Sequence, residues 1–193
     1  LGIGSDSLRL KGRVGGDIDM GSGTDIVWLG ADAEISPGTL DGGSGDDTLI
    51  ARVDVADVFN FEIINLKGSA GLGAIADAID NIVYGNRADN EIDGGDGDDQ
   101  LFGYSGTDIL IGGLGIDTLK GGRGADDLTG GRGADILDGG RGRDVFAYED
   151  VNDSPKADHD QILDFERGRD TLDLSALVAG AVSWLGKGGF TGS

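Results

Sequence analysis

The stretch GGLGIDTLKGGRGADDLTGG, residues 112–131, sets an aspartate at the sixth position of a nine-residue unit twice in succession. The unit runs in register through GNRADNEID (85–93), GGDGDDQLF (94–102), GYSGTDILI (103–111), GGLGIDTLK (112–120), GGRGADDLT (121–129), GGRGADILD (130–138) and GGRGRDVFA (139–147). Its sixth position reads Asn90, Asp99, Asp108, Asp117, Asp126, Asp135 and Asp144. Its eighth reads Ile92, Leu101, Leu110, Leu119, Leu128, Leu137 and Phe146. The unit contains neither histidine nor cysteine, so the only metal donors it offers are oxygens: one carboxylate, and the carbonyls of a glycine-rich backbone. Hard cations take such donors. A site of six to eight oxygens on a pliable turn suits Ca²⁺ better than strictly octahedral Mg²⁺. The competing reading is plain turn chemistry, because aspartate also caps its own backbone in turns.

The unit itself says what must hold these carboxylates. Positions 7–9 alternate outward, inward, outward, as a very short strand with one buried apolar residue does. Positions 1–6 make a turn whose glycines reach backbone angles other residues adopt at a cost. Strand, turn, strand, turn closes one coil of 18 residues. Stacked coils predict an all-β, right-handed parallel β-roll solenoid with a C-terminal β cap. Turns two units apart are then neighbours, which pairs Asn90/Asp108, Asp99/Asp117, Asp108/Asp126, Asp117/Asp135 and Asp126/Asp144. Continuing the period past 147 puts Asp153 in the column and adds an Asp135/Asp153 pair.

A single buried leucine contributes about 1.5–3 kcal/mol. Ordering each residue's backbone costs about 1–2 kcal/mol. One leucine per nine residues therefore does not hold the roll by itself. An ion at ten times its dissociation constant adds about 1.4 kcal/mol per site. Five or more ions would add roughly 7 kcal/mol, the size of a whole domain's stability. The pattern thus predicts folding switched by calcium.

Four segments divide the chain. Residues 1–50 carry degenerate repeats around Asp6, Asp17, Asp25 and Asp47, irregularly spaced; Asp17, Asp25 and Asp47 are candidates for the same role. Residues 51–84 form a strand-rich connection that alternates from Val58 to Leu66 and turns at Lys67–Gly68. Residues 85–147 are the regular array. In 148–193 glycine thins, and DQILDFERGRDTLDLSAL reads as two short strands about Gly168. There Phe165, Leu172, Leu174, Leu177 and Trp184 make a small capping core.

Composition sets the limits. With 36 acidic against 15 basic residues the net charge is −21, which argues against nucleic acid and anionic membranes. The 39 glycines come with only two prolines and no three-residue period, so collagen is excluded. There is no cysteine, so a loop-rich fold needs some other staple than disulfides. No apolar run reaches the roughly 18 residues of a membrane span. The chain starts in mid-pattern without a signal-peptide n-region, as a piece of a longer protein would.

Other motifs carry less. His159 has no HExxH context and reads as a solvated loop residue. Ser44, Ser105 and Ser175 sit in no G-x-S-x-G elbow. GLGAIA (71–76) lacks the strand-to-helix setting of a dinucleotide site. The acidic pairs Asp98/Asp99 and Asp126/Asp127 fit a cation loop or a solvated edge better than acid–base catalysis. Arg123, Arg132 and Arg141 recur every nine residues, with Arg143 beside them. They read as charge compensation or as a stripe for an acidic polysaccharide.

The array resembles the RTX, or hemolysin-type, calcium-binding nonapeptide repeat. FEIINLKGSA (61–70) and NIVYGNRADNEIDGG (81–95) resemble the lead-in to such rolls. The stretch 139–178 with GGFTGS resembles the C-terminal domain of serralysin-type secreted metalloproteases. That resemblance implies a non-catalytic module that binds calcium, folds outside the bacterial cell and precedes a signal for type I secretion, here cut short before the tail. It implies the secretion machinery and an upstream catalytic domain as partners, and adds Asp153, Asp160 and Asp164 as metal residues. The alternative is a glycan-binding or adhesin module of a secreted polysaccharide-modifying protein.

Overall fold

The computed structural model describes residues 2–155 and 159–179, the last two without their side chains. It is an all-β parallel solenoid whose one other element among the described residues is a short 3₁₀ turn, Ser175–Ala179. One nine-stranded sheet runs through all four sequence segments: Ser7–Leu10, Ile26–Leu29, Thr48–Ala51, Ile63–Leu66, Ile82–Tyr84, Gln100–Ser105, Thr118–Gly124, Ile136–Gly142 and Gln161–Ile162. Facing it is a six-stranded sheet of Gly73–Ile75, Glu91–Asp96, Ile109–Leu114, Asp127–Arg132, Val145–Ala147 and Thr171–Asp173.

The period fixes the register. Across the array Gln100 pairs with Thr118 and Thr118 with Ile136, while Glu91 pairs with Ile109 and Ile109 with Asp127. Each coil there takes 18 residues, so the eighth-position side chains stack in two files. Leu101, Leu119 and Leu137 face inward from one sheet and Ile92, Leu110, Leu128 and Phe146 from the other, all wholly buried. Position 2 of the unit needs a left-handed backbone, with φ of 97° at Gly95, 115° at Gly113 and 106° at Gly122. Tyr104 holds the same position at φ 71° without being glycine. Its ring stacks with Tyr84 and Phe102 on the outer face.

Upstream the coils are unequal. The register steps from Ser7 to Ile26, Thr48, Ile63 and Ile82, which makes coils of 19, 22, 15 and 19 residues. The first three of them add a third side, the sheet of Ile18–Asp19, Leu40–Asp41 and Val58–Phe59. Its inward residues Leu40 and Val58, with Met20 just after its first strand, join Leu49, Phe61 and Ile64 in a wider core. The apolar stretch from Val58 to Leu66 thus divides between two sheets, and Gly68 turns the chain at φ 121°.

At the far end the coil lengthens again. Ile136 pairs with Gln161 and Val145 with Thr171. The two strands about Gly168 are not a hairpin. Each continues a different sheet, and Gly168 sits in a loop at φ 85°. Leu172 packs on the core, Leu174 and Leu177 are half-buried, and Phe165 rests against Phe146 with ring centroids 6.1 Å apart. Trp184 lies outside the described residues.

Candidate metal column

Every position-6 carboxylate in the array leans toward the coil before it. Oδ1 of Asp117 accepts the N–H of Asp99 at 2.8 Å, and Oδ1 of Asp135 accepts that of Asp117 at 2.9 Å. On the opposite edge Asp108, Asp126 and Asp144 accept from Asn90, Asp108 and Asp126 at 2.8, 2.9 and 3.0 Å. All five predicted pairs are therefore neighbours, joined from carboxylate to backbone.

The second oxygen is left over. Oδ2 of Asp99, Asp108, Asp117, Asp126 and Asp135 is buried with no hydrogen-bond partner. The glycine at position 1 makes room for it: a Cβ on Gly103 would lie 2.5 Å from Asp108 Oδ2 and 2.8 Å from the Gly121 carbonyl oxygen. Each turn thus encloses a bare carboxylate oxygen beside a main-chain carbonyl, both of them acceptors. An unpaired buried acceptor costs about 1–3 kcal/mol, and more when charged. Burial is the largest force raising these carboxyls. It brings Asp99, Asp126 and Asp135 to about 6 and Asp117 to about 7, with neighbouring acids adding to it and the backbone N–H opposing it. Asp108, Asp144 and Asp47 are raised in the same direction, also through burial. A hard cation supplies what such a set lacks, so the residues fit calcium.

The column extends beyond the regular repeats on one edge. Asp6 N–H donates to Asp25 Oδ1 at 2.6 Å, Asp25 to Asp47 Oδ1 at 2.7 Å, Asp47 to Glu62 Oε2 at 2.5 Å, and Asn81 to Asp99 Oδ1 at 2.7 Å. Asp25 and Asp47 keep buried, unpartnered Oδ2 atoms like those of the array. Glu62 and Asn81 were not anticipated. Each directly precedes a short strand with one buried apolar residue in second place, Ile64 in Ile63–Leu66 and Val83 in Ile82–Tyr84, and that placement is the signal that would have found them.

Other candidates sit differently. Asp17 is exposed on the third side and holds the N–H and hydroxyl of Thr39. Asn90 is satisfied within the protein: its Oδ1 accepts from Asn86 N–H at 2.8 Å and its Nδ2 donates to the Leu72 carbonyl at 3.0 Å. Asp160, not Asp153, follows Asp135 in the column, accepting its N–H at 3.1 Å. The coil between them loops out seven extra residues, with |i−j| of 25 in place of 18. Asp153 instead closes that loop, accepting from Glu149 and Asp150 at 2.8 and 2.7 Å. Asp164 accepts from Gly139 and Gly140, and Asp170, also unanticipated, accepts from Asp144.

The arginines separate by the same geometry. Arg123 and Arg141 are register neighbours in one sheet, whereas Arg132 pairs with Leu114 in the other. They do not form one stripe. His159 is exposed. No helix among the described residues is long and apolar enough to cross a membrane.

No curated protein matches the chain significantly. A family profile does: the one described as Peptidase M10 serralysin C terminal matches residues 19–187, nearly the whole chain. With its parallel solenoid and its file of buried aspartates, the chain belongs to the serralysin C-terminal family, the RTX repeat region of secreted proteins.

Proposed function

We propose that this chain is a non-catalytic calcium-binding roll that folds when calcium fills its turns outside the cell. In that role it supports the secretion, folding and stability of a larger secreted protein. The observation that carries the reading is the file of buried Oδ2 atoms with no donor. Bound calcium would neutralise the turn carboxylates and bridge neighbouring coils. The chain's own residues do the rest. Position-1 glycines leave the space, Oδ1 atoms tie each carboxylate to the coil before it, and the two apolar files set the coil spacing.

At low calcium the same carboxylates oppose closure, through burial and mutual repulsion. A chain carrying −21 and kept open in this way stays soluble and extended, as export through a channel by the type I route requires. The test is far-ultraviolet circular dichroism of the chain, titrated with calcium from chelator. A cooperative rise in β signal that equal magnesium does not reproduce is expected. A spectrum already folded in chelator and unmoved by calcium overturns the reading.

A further inference from the structure

The two sheets show solvent very different faces. The first seven strands of the nine-stranded sheet, from Ser7–Leu10 to Thr118–Gly124, contain no aspartate or glutamate, in a chain that has 36 acidic residues. Asp138, in the next strand, is the first. On the outer side, between the buried positions, lie Ile26, Trp28, Ile50, Ile63, Tyr84 and Phe102, each half-buried. Cations surround them. Arg9, Lys120 and Arg123 belong to these strands, and Lys11, Arg52 and Lys67 directly follow them, all six exposed. The Arg9 guanidinium sits 4.4 Å from the Trp28 ring centroid, and Lys120 Nζ 5.7 Å from that of Phe102.

The six-stranded sheet is the reverse. Its strands carry Glu91, Asp93, Asp96, Asp127 and Asp173 against one cation, Arg132. Ile75, Ile109 and Leu114 stand among the acids, 55%, 40% and 47% exposed. A groove of about 250 Å³ opens on this face, lined by Ala56, Ile75 and Ile111 and by three acids, Asp54, Glu91 and Asp93. Each face thus has the charge the other lacks, and both carry apolar side chains that parallel sheets usually cover. A chain of −21 repels its own copies in most orientations. The exception sets the acid-free face of one copy against the acidic face of the next. Both ladders advance by about 4.8 Å per strand, so rows of cations and carboxylates match in period.

We propose that these faces are an interface between copies of this chain. The outer face of the nine-stranded sheet packs on the outer face of the six-stranded sheet of a second copy, with about 10 Å between the sheets. Trp28, with Arg9 across its ring, offers an apolar plate and a cation to a groove whose lining is apolar and acidic. The two faces lie on opposite sides of the roll. The contact is therefore heterologous, and it repeats from copy to copy as an open row instead of closing as a two-fold dimer. Only the folded roll is needed, whatever holds it together.

The test is sedimentation velocity of the whole chain in calcium, with the β signal of every sample checked first. Species larger than a dimer should grow with concentration and recede as salt is raised. One variant carries Arg9→Glu, Arg52→Glu, Lys67→Glu and Lys120→Glu, which leaves both faces acidic. A second carries Glu91→Lys, Asp96→Lys and Asp127→Lys, which leaves both basic. Each alone should stay monomeric, and an equimolar mixture, with opposite charges restored at both contacts, should associate again. Trp28→Ala, which leaves the charge alone, should weaken the association. If a charge-reversed variant loses its β signal, the salt dependence and Trp28→Ala decide. A monomer at every concentration up to about 1 mM overturns the proposal. So does association unmoved by salt and by Trp28→Ala, association that either charge-reversed variant retains alone, or a mixture that stays monomeric. A monomeric chain held by a polyuronate column or by anionic vesicles, and released in the first variant, gives the acid-free face another occupant and equally overturns it.

Discussion

The upstream coils and the regular array solve one problem by different means. Upstream, coils of 15 to 22 residues enclose Met20, Leu40 and Phe61, large side chains wholly or almost wholly out of water. In the array every coil is 18 residues long and buries one apolar side chain per sheet, with a carboxylate oxygen sealed in each of the five turns from Asp99 to Asp135. A wide core tolerates uneven coils because apolar contact is not directional. A narrow one cannot, since each turn must present its oxygens at a fixed height on the stack. Regularity thus goes with the part where, on the proposed reading, ions carry most of the stability.

Removing calcium should separate the two regions most sharply. Five turns at ten times their dissociation constant account for roughly 7 kcal/mol. In chelator at neutral pH, hydrogen exchange should show amides of 99–140 losing protection before those of 26–29, 48–51 and 63–66. Simultaneous loss in both regions would erase the distinction. Acid should partly replace the ion. The folded carboxyls of Asp99, Asp117, Asp126 and Asp135, at about 6 to 7, lie above the unfolded value of 3.8, so the fold binds protons more tightly than the open chain. Their destabilising effect is absent below the unfolded value and grows as pH rises through the folded ones. Without calcium, lowering the pH from about 8 to about 5 should therefore restore β signal, whereas with calcium it should weaken binding.

Point substitutions sharpen the contrast. Leu40→Ala should cost about 2–5 kcal/mol in a urea titration at saturating calcium, as cavities in a wide core do. Asp117→Asn should change sign with conditions. It should lower stability by about 1.4 kcal/mol at ten times the dissociation constant and raise it in chelator, where the buried charge is only a burden. A loss under both conditions would make Asp117 a plain turn residue. The smallest effect belongs to Tyr104→Gly. It relieves a left-handed non-glycine residue, about 1–2 kcal/mol, and gives up an outer-face ring stack of about 0.5–1.5 kcal/mol. The melting curve should shift by less than about 1 kcal/mol in either direction.

Wherever the period holds, the sequence was readable almost atom by atom. Asp99 to Asp144 stand in the predicted column, and Leu101 to Leu137 in the predicted core. It misled where the coil length changes. A constant period points to Asp153, but a loop between coils hands the place to Asp160. Glu62 escaped because the 19-residue coil that follows it shifts it out of phase, and Asn81, though in phase, because it is not an aspartate after glycines. Asn90 looked like a metal residue by position, yet an amide carries its own donor and here uses it on Leu72. Which oxygens remain unpartnered is a property of three-dimensional stacking, and no spacing rule encodes it.

The carboxylate ladder also has a direction. The N–H of Asp99 is held by Asp117, that of Asp117 by Asp135, and that of Asp135 by Asp160. In these carboxylate bonds, each coil's position-6 N–H is therefore satisfied only by the coil that comes after it in the chain. In a stack where every unit touches only its neighbours, such one-way dependence works as a pawl. Closure that begins at the C-terminal coils locks each earlier coil as it arrives, while an N-terminal start leaves its last rung open at every step.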